Sequence, residues 1–572
     1  MKKYFLIIGA LALPVLFYFS ACNSEGPSSN KSGTIDSVKI AMGEKLFVEK
    51  CSGCHNFSLD GIGPELGGVM DAQPVSWIRN FISNPKKLID AGDTTALKLL
   101  HHYKAVMPSF DDLSGEEMDQ LLAFIEIHKK HVRPPVIEDS NDIKNPIPDS
   151  IRTSNLVVAI DPFTQIPASS SDMPLTRITK LDYQPTTGDL FVLDLRGKLY
   201  RLQNGKPEVY MDMEKLEPKF INQPGLATGF GSFAFHPDFS KNGLIYATHT
   251  EPAASAKADF GYPDSISVVM QWVLSEFKTD PKVLVFSGTE KELMRIDVPT
   301  GIHGAQEITF NRQAKPGDKD YGMLYMGIGD GGSTEIGYPL ASTHPEGIWG
   351  TIIRIDPAGN NSKNGKYGIP ADNPFSKNDN NSLPEIYAYG FRNPHRISWS
   401  KSGEMLAVNI GQTNIESVNL ILPGHFYGWP IREGTFMEKF FNETGKVYPL
   451  PPDDSVYHVT YPVVQLDHDE STAITGGFEY RGSSIPLLKG KYLFGDISSG
   501  KLFYVDVKDL ALGKQTIPRK WNITLNNKPT NLVSLSGRDR VELRFGMDSK
   551  GELYLLTKAD GKIYKLVGAH LK

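Results

Sequence analysis

The chain has 572 residues, a net charge of −6 and 40% hydrophobic residues, which is typical of a globular protein with room for several domains. This slightly acidic balance argues against nucleic acid as a partner. Its 53 glycines, 39 prolines and 10% aromatic residues, with short apolar runs such as LFVL and LYLL, indicate β-structure rich in turns.

The first 22 residues resemble the export signal of a bacterial lipoprotein. Lys2 and Lys3 precede an apolar run from Tyr4 to Phe19, which is short for a membrane span. Small residues then lead to Cys22, which we expect to be lipidated. An ordinary cleaved signal would leave Cys22 as a free thiol in an oxidising compartment. We therefore expect an exported protein, lipid-anchored on the periplasmic side of a membrane or at the cell surface.

A flexible polar tether is predicted over residues 23–35. The motif CSGCH then indicates a c-type haem attachment site, with Cys51 and Cys54 as thioether positions and His55 as the axial ligand. Half a zinc site or a redox dithiol is the alternative reading. A zinc site needs a second Cys/His pair, however, and the chain has only three cysteines.

Residues 36–131 have helical periodicity, including a helix-start signal at Ser114. The segments CSGCH, GIGPELGG and MPSF occur in this order, and the region resembles a class I cytochrome c domain. Met107, in AVMPSF, is the expected second iron ligand, and the proline after it restrains its loop. The competing candidates for this ligand are Met70, His101 and His102.

A linker rich in proline, aspartate and asparagine is predicted over residues 132–154. Strand-like runs with glycine turns recur over residues 155–572, and GDLFVLDLRGKLYRL and GELYLLTKADGKIYKLV are close copies. Radial repetition of one four-stranded unit gives a β-propeller, and six blades of about 70 residues suit this length. The predicted fold is therefore multidomain: a small all-α cytochrome c domain followed by an all-β six-bladed propeller.

Several motifs in this region resemble the quinoprotein glucose/sorbosone dehydrogenases. They are GSFAFHPDF, YMGIGDGG, YGFRNPHRISW, IGQTNIESVNLILPGHFYGWP and GELYLLT. The resemblance implies oxidation of a sugar or a related alcohol or aldehyde with pyrroloquinoline quinone (PQQ) and calcium. Electrons would then pass to the fused haem and on to an external acceptor such as a cytochrome or oxidase.

The same resemblance suggests roles for individual residues. His303 is the expected catalytic base, since imidazole has a suitable pKa; a lone loop histidine more often bonds backbone. Arg392 and Asn393 are the expected PQQ contacts, because a tricarboxylate needs donors at its rim. The alternative for this segment is a turn held by an arginine salt bridge, which suits Arg396.

The predicted calcium site and the predicted roles of the C-terminal arginines depend on their spacing within the family pattern. Calcium would bind backbone carbonyls at Gly411 and Gln412, with Glu416 as a nearby carboxylate. Further PQQ contacts are expected in SGRDRVELRFGMD, where a solvated charge run is the alternative. The arginines concerned are Arg538 and Arg540, with Arg544 as a third.

Two positions depart from the family pattern. Ala227 stands where the family usually presents a glutamine or glutamate, and Ile302 stands where the soluble glucose dehydrogenases carry an aspartate before the catalytic histidine. That aspartate could orient the imidazole, and Glu307 or Asp330 are the candidates to replace it. Glucose is therefore an unsafe choice of substrate.

Two other functions stay open. One is a haem-bearing lipoprotein whose propeller binds a glycan or partner without quinone chemistry. The other is a calcium-dependent hydrolytic propeller of the lactonase type. The presence of a one-electron carrier beside the propeller favours the dehydrogenase.

Overall fold

The structure is a computed structural model. It describes residues 37–51, 55, 57, 63–103, 106–130, 141–223, 227–263, 266–336, 338–377, 381–439 and 443–572. The predicted signal segment with Cys22, the tether and Cys54 lie outside the described residues, as do residues 132–140 of the predicted linker.

Helices dominate the first part of the chain, as predicted. The described helices are α1 (Ser37–Lys50), α2 (Val69–Ala72), α3 (Val75–Ser83), α4 (Pro85–Asp90), α5 (Thr94–Tyr103), α6 (Gly115–Glu126), α7 (Met213–Leu216), α8 (Phe239–Asn242) and α9 (Leu532–Ser536). Helix α6 begins at the predicted position, because Ser114 and Glu117 form a reciprocal capping box. Its buried face packs on α1 around Phe47 and Phe124.

Strands dominate the chain from Thr153 onwards. They are β1 (Thr153–Gln165), β2 (Ile178–Tyr183), β3 (Leu190–Asp194), β4 (Lys198–Gln203), β5 (Lys206–Asp212), β6 (Ser232–Phe235), β7 (Leu244–Pro252), β8 (Met270–Thr279), β9 (Gly288–Val298), β10 (Glu307–Phe310), β11 (Leu324–Ile328), β12 (Thr351–Ile355), β13 (Ile386–Tyr389) and β14 (Pro394–Trp399). The remainder are β15 (Met405–Asn409), β16 (Ile415–Ile421), β17 (Arg432–Glu433), β18 (Phe436–Lys439), β19 (Glu443–Tyr448), β20 (Val464–Asp467), β21 (Ile474–Glu479), β22 (Lys491–Asp496), β23 (Leu502–Asp506), β24 (Arg519–Leu525), β25 (Lys528–Thr530), β26 (Leu543–Met547), β27 (Leu553–Thr557) and β28 (Lys562–Leu571).

Most of these strands pair as antiparallel groups of four. The groups are β2 to β5, β6 to β9, β10 to β13, β14 to β16 with β20, β21 to β24, and β26 to β28 with β1. The first strands of the groups contact one another in the order β2, β6, β10, β14, β21, β26 and back to β2. Apolar side chains fill the spaces between the groups.

Both ends of the β-rich region meet in one group. Strand β1 pairs antiparallel with β28, with Leu156 opposite Leu571, and runs parallel to β24 on its other side. Because hydrogen bonds join the start and the end of the region, neither end is left as a long free edge. Within the described ranges, no helix is both long and apolar enough to span a membrane.

Buried charges connect the first strands of three groups. The Lys180 Nζ on β2 lies 2.6 Å from Glu307 Oε1 on β10, and Arg396 on β14 lies 3.4 Å from the other oxygen of the same carboxylate. Arg396 also donates to the Thr179 carbonyl. Buried charges of this kind need such partners, and Glu307 is therefore committed to this network. The network lies at the N-terminal end of β10, which the chain reaches four residues after His303.

Candidate active site

His55 is held in a fixed orientation in the helical part of the chain. Its Nδ1 lies 2.9 Å from the Pro64 carbonyl oxygen, which favours the tautomer with a proton on Nδ1 and a lone pair on Nε2. A Cβ built on Gly63 would lie 2.3 Å from the imidazole Cε1, so only glycine allows this close approach. Cys51 follows directly on α1.

The candidate methionines for the sixth iron ligand differ little in burial. Met107 and Met70 are both partly buried against the core of the helical region, as is Cys51. His101 and His102 are exposed at the end of α5. The exposure of the two histidines favours a methionine, and Met107 stays the predicted ligand because its loop precedes the final helix.

A histidine and an aspartate form the centre of the β-rich region's candidate site. The Nδ1 of His303 lies 2.7 Å from Asp330 Oδ1, and both side chains are buried. His303 has a left-handed φ of 52°, a conformation that costs energy in residues other than glycine and that clusters at functional sites. In the part of the chain that the structure describes, the Nε2 of His303 has no hydrogen-bond partner. It is therefore free to accept a proton.

Asp330 is fixed by two further donors. Its Oδ1 accepts from the Gly332 amide at 2.9 Å, and its Oδ2 accepts from the indole of Trp429 at 3.0 Å. Burial alone would raise the pKa of Asp330, but the interactions with His303 and with Arg392 outweigh it and lower the pKa. The carboxylate is therefore ionised and accepts the Nδ1 proton of His303, which places a lone pair on Nε2.

Asp330 is the carboxylate that orients His303 in this chain, in which Ile302 occupies the position of the family's aspartate. Ile302 is buried and Glu307 is bound by Lys180 and Arg396, so neither orients the imidazole. Asp330 does so from the segment after β11. Ala227 is also buried, and its amide donates to the Gly301 carbonyl at 3.1 Å.

Arg392 is fully buried and is engaged by other parts of the protein. Its guanidinium donates to Gln412 Oε1 at 2.5 Å, to the Gly411 carbonyl at 2.6 Å and to Glu335 Oε1 at 2.6 Å. Asn393 is buried beside it, and its side-chain amide has no hydrogen-bond partner among the residues described. Of the predicted pair, Asn393 thus has the freer side chain for a ligand.

One of the two backbone carbonyls predicted to bind calcium already accepts a hydrogen bond from a cation. The Gly411 carbonyl accepts from Arg392, which also binds the side-chain oxygen of Gln412 but not its backbone carbonyl. Glu416 is equally committed, since it accepts from the amides of Gly411 and Ile474. The Gly411 carbonyl and Glu416 are thus already engaged within the protein, and no step proposed below depends on calcium.

The turn that carries Gly411 and Gln412 is held by a carboxylate. Glu433 Oε1 accepts from four consecutive backbone amides at 2.6 to 3.0 Å, those of residues 412–415. Nearby, Glu438 is buried, and its Oε2 has no partner within the described part of the chain. Burial and the charge of Glu433 raise the pKa of Glu438 well above its usual range.

A group of buried cationic side chains lies near His395. Arg544 on β26 and Lys558 after β27 are buried near His395 on β14, and His303 is close enough to act on His395 electrostatically. Burial lowers the pKa of Lys558 to about 7, with Glu542 opposing the shift and Arg544 adding to it. We call Lys558, Arg544 and His395 the cationic pocket.

The cationic pocket has donors that the protein leaves unused. Among the described residues, the Nε of Arg544 and the Nδ1 of His395 are buried without a hydrogen-bond partner. A buried polar atom without a partner costs free energy, and a surplus of buried positive charge costs more. A ligand carrying several carboxylates would satisfy both, so these residues fit PQQ.

The three C-terminal arginines differ in how deeply they are buried. Arg538 is exposed and Arg540 is partly exposed and paired with Glu542, whereas Arg544 is buried in the cationic pocket. Sequence reasoning ranked Arg544 third and missed Lys558 and His395. Lys558 lies in TKADGK, which looks like an exposed turn, and no local signal distinguishes it.

Comparison with known proteins agrees with both halves of this description. The profile of the Glucose / Sorbosone dehydrogenase family matches residues 177–565, more than half of the chain. The chain belongs to the glucose/sorbosone dehydrogenase family. The profile of the Cytochrome c family matches residues 40–129, so this member carries a cytochrome c domain at its N-terminal side. Both predicted resemblances are confirmed.

Individual relatives are more distant. The HIPL1 protein of Arabidopsis thaliana is 28% identical over 387 residues, covering 59% of this chain and 53% of the relative. Quinoprotein glucose dehydrogenase B of Acinetobacter calcoaceticus is 25% identical over 229 residues, covering 37% of this chain and 42% of the relative. The chain thus spans about half the length of the curated relatives that its β-rich region matches first.

The helical domain has a compact relative. Cytochrome c-551 of Bacillus subtilis is 35% identical over 104 residues, which cover 17% of this chain and 90% of the relative. For the β-rich region, the crystal structure of the soluble aldose sugar dehydrogenase from Escherichia coli in its apo-form superposes with a TM-score of 0.52 at 16% identity. It covers 73% of this chain and 100% of that chain, and at this identity it shows the fold alone.

Proposed function

We propose that this family member oxidises a hydroxyl or hydrated aldehyde of a sugar or related compound, with PQQ bound in the cationic pocket. The observation that carries the proposal is the contact of His303 Nδ1 with the ionised Asp330, which leaves Nε2 free to act as a base. Buried donors without partners lie nearby and support it. The name of a relative, quinoprotein glucose dehydrogenase B, agrees with a quinone as cofactor.

His303 is the base in this mechanism. Its Nε2 accepts the proton of the substrate hydroxyl while the carbon-bound hydrogen leaves as hydride, so the substrate loses two electrons and becomes a carbonyl compound. The Asp330 carboxylate keeps the imidazole in the required tautomer and stabilises the imidazolium that forms. Trp429 in turn prevents Asp330 from rotating away.

PQQ, when bound, supplies a quinone that accepts the hydride and later gives up two electrons singly. Lys558 and Arg544 would hold its carboxylates, and the His395 Nδ1 and the Asn393 amide would add hydrogen bonds. Burial and the neighbouring cations keep the pKa of His395 well below its usual range, so His395 is neutral.

Electrons would then pass to the haem held by Cys51, Cys54, His55 and Met107, and on to an external acceptor such as a cytochrome or oxidase. A tethered haem domain raises the effective concentration of the acceptor to roughly the millimolar range. A binding function alone gives no role to a haem, which is why oxidation is favoured.

The finer architecture is part of the same proposal. Six antiparallel groups whose first strands contact one another in a ring support a six-bladed propeller over residues 155–572. The cytochrome c domain would extend over residues 36–131, joined by the linker at 132–154. Export with lipidation of Cys22 rests on the sequence.

The test is an absorbance titration of the oxidised full-length protein with PQQ, with and without calcium, followed by a panel of sugars and aldehydes. The proposal expects a sugar to produce the reduced-haem band only after PQQ is added. In the variant His303→Ala, PQQ should still bind while haem reduction is lost. Absence of PQQ binding would favour a binding module, and calcium-dependent ester cleavage without PQQ would favour the hydrolytic alternative.

A further inference from the structure

A second cluster of ligand-type side chains lies on the second strand group, apart from the residues of the proposed mechanism. His249 and Glu251 are two residues apart on β7, so both side chains project from the same face of the strand. Glu217 comes directly after α7, and its carboxylate lies close to His249 and Glu251. One ligand atom from each of the three residues lies within 4.8 Å of the other two.

The two carboxylates of this cluster differ in their partners. Glu251 Oε2 lies 2.7 Å from Arg295, so one oxygen is neutralised, while Oε1 faces His249 Nε2 at 3.4 Å. The Glu217 carboxylate has no hydrogen-bond or ion-pair partner among the residues that the structure describes. Burial, opposed by His249 and reinforced by Glu290 and Glu251, raises the pKa of Glu217 to about 7.

The histidine of the cluster is buried with unused hydrogen-bonding capacity. Its side chain is 1% exposed, and its Nδ1 lacks a partner in the described part of the protein. Its contact with Glu251 Oε1, at 3.4 Å, is longer than an ordinary hydrogen bond. A buried imidazole that is so poorly satisfied beside a partnerless carboxylate is costly unless something else binds both.

We propose that Glu217, His249 and Glu251 bind one divalent transition-metal ion of the zinc or manganese class. One imidazole nitrogen and two carboxylate oxygens are ligands that such ions accept, and the nitrogen disfavours calcium and magnesium. Tetrahedral ligands at about 2.1 Å from an ion lie roughly 3.4 Å apart. The present separations therefore need only a side-chain rotation, which Glu217 has the freedom to make.

The charges also suit a cation. Arg295 forms ion pairs with Glu251 and Glu292 but none with Glu217, on which it acts only through a weaker electrostatic attraction. An ion would give Glu217 and His249 a shared partner. Its expected effect is on stability, because it joins the segment after α7 to β7. Two hydrogen bonds already link these segments there: the Ile221 amide donates to the Thr250 carbonyl, and the Thr250 hydroxyl donates to the Ile221 carbonyl.

The test is equilibrium dialysis of the full-length haem protein against zinc ions, with bound zinc measured relative to haem iron. The variants are Glu217→Gln and His249→Gln, and Glu290→Gln is the matched control because Glu290 is exposed near the cluster without contributing a ligand. We expect the wild type and Glu290→Gln to hold one more zinc ion per haem than Glu217→Gln and His249→Gln. We also expect zinc to raise the melting temperature of the wild type and Glu290→Gln but not that of the other two variants.

Equal zinc content in wild type and Glu217→Gln would overturn the proposal, as would an equal loss in Glu290→Gln. If His249→Gln fails to fold, Glu217→Gln decides, since Glu217 is only partly buried. A parallel dialysis against calcium should show no difference among the four proteins, and a calcium-specific difference would also contradict the assignment. None of these outcomes depends on PQQ or on sugar oxidation.

Discussion

Asp330 accepts a hydrogen bond from His303 at 2.7 Å and so takes the role that Ile302 cannot fill. The two residues come from different segments, since His303 precedes β10 and Asp330 follows β11. A third segment contributes Trp429, which binds the other oxygen of Asp330. Motifs that are separate in the sequence therefore converge on one imidazole. The contributions of His303, Asp330 and Trp429 can each be tested by substitution.

Asp330→Asn should lower kcat for sugar oxidation by about 100-fold or more, with little change in KM. The amide can donate to His303 Nδ1 and thereby favour the tautomer that carries its proton on Nε2, which cannot act as base. The rate of haem reduction in the PQQ-loaded protein measures this effect. Trp429→Phe should cost less, because it removes only the support of Asp330.

The comparison variant for this prediction is Glu307→Gln. Glu307 was the other carboxylate expected to assist the histidine, but it is bound to Lys180 and Arg396. Its substitution should reduce stability and leave the pH profile of kcat in place. A larger kcat loss in Glu307→Gln than in Asp330→Asn would contradict the assignment.

Lys558→Met should weaken PQQ binding by roughly 10- to 100-fold, because a charge-assisted hydrogen bond contributes about 1.5–3 kcal/mol. Arg538→Met is the matched control, since Arg538 is exposed and should not affect affinity. Fluorescence or calorimetric titration with PQQ gives the two dissociation constants. If Arg538→Met has the greater effect, the choice made from the sequence was the better one.

PQQ affinity should fall as the pH rises above 7. The pKa of Lys558 in the unliganded protein is about 7, below its usual value, so the ammonium loses its proton as the pH passes this value. An anionic ligand favours the charged form and raises that pKa, so binding takes up a proton above pH 7. Calorimetry in buffers of different ionisation enthalpy should detect this uptake, and Lys558→Met should abolish it.

The sequence predicted the parts of the site that lie within recognisable motifs. The haem segment could be predicted because cysteine spacing is a local signal, and the helix start at Ser114 is likewise local. His303 was chosen from a family motif, and its role as base stays a prediction. Lys558 and His395 could not be predicted in this way, since the burial of their side chains is a tertiary property. Nor could the sequence choose between Glu307 and Asp330, because ion pairing with Lys180 is a tertiary contact.

Glu433→Ala should destabilise the protein by about 2–4 kcal/mol. One carboxylate oxygen accepts four backbone amides of residues 412–415, and its removal leaves buried donors without a partner. Thermal unfolding followed by circular dichroism measures the change. Glu346→Ala, at an exposed position, should leave the melting temperature unaltered. A small effect at Glu433 would mean that the turn is held by other contacts.

Met107→His should lower the reduction potential of the haem, because a thioether ligand favours the reduced iron more than an imidazole does. Spectroelectrochemical titration of the full-length protein measures the potential, and loss of the weak long-wavelength band of a methionine-bound ferric haem reports the ligand directly. Met70→Leu is the matched control, since Met70 packs against the same core as Met107 but should not bind iron. Its potential should equal that of the wild type. If Met70→Leu instead loses the methionine band while Met107→His keeps it, the two methionines have the opposite roles.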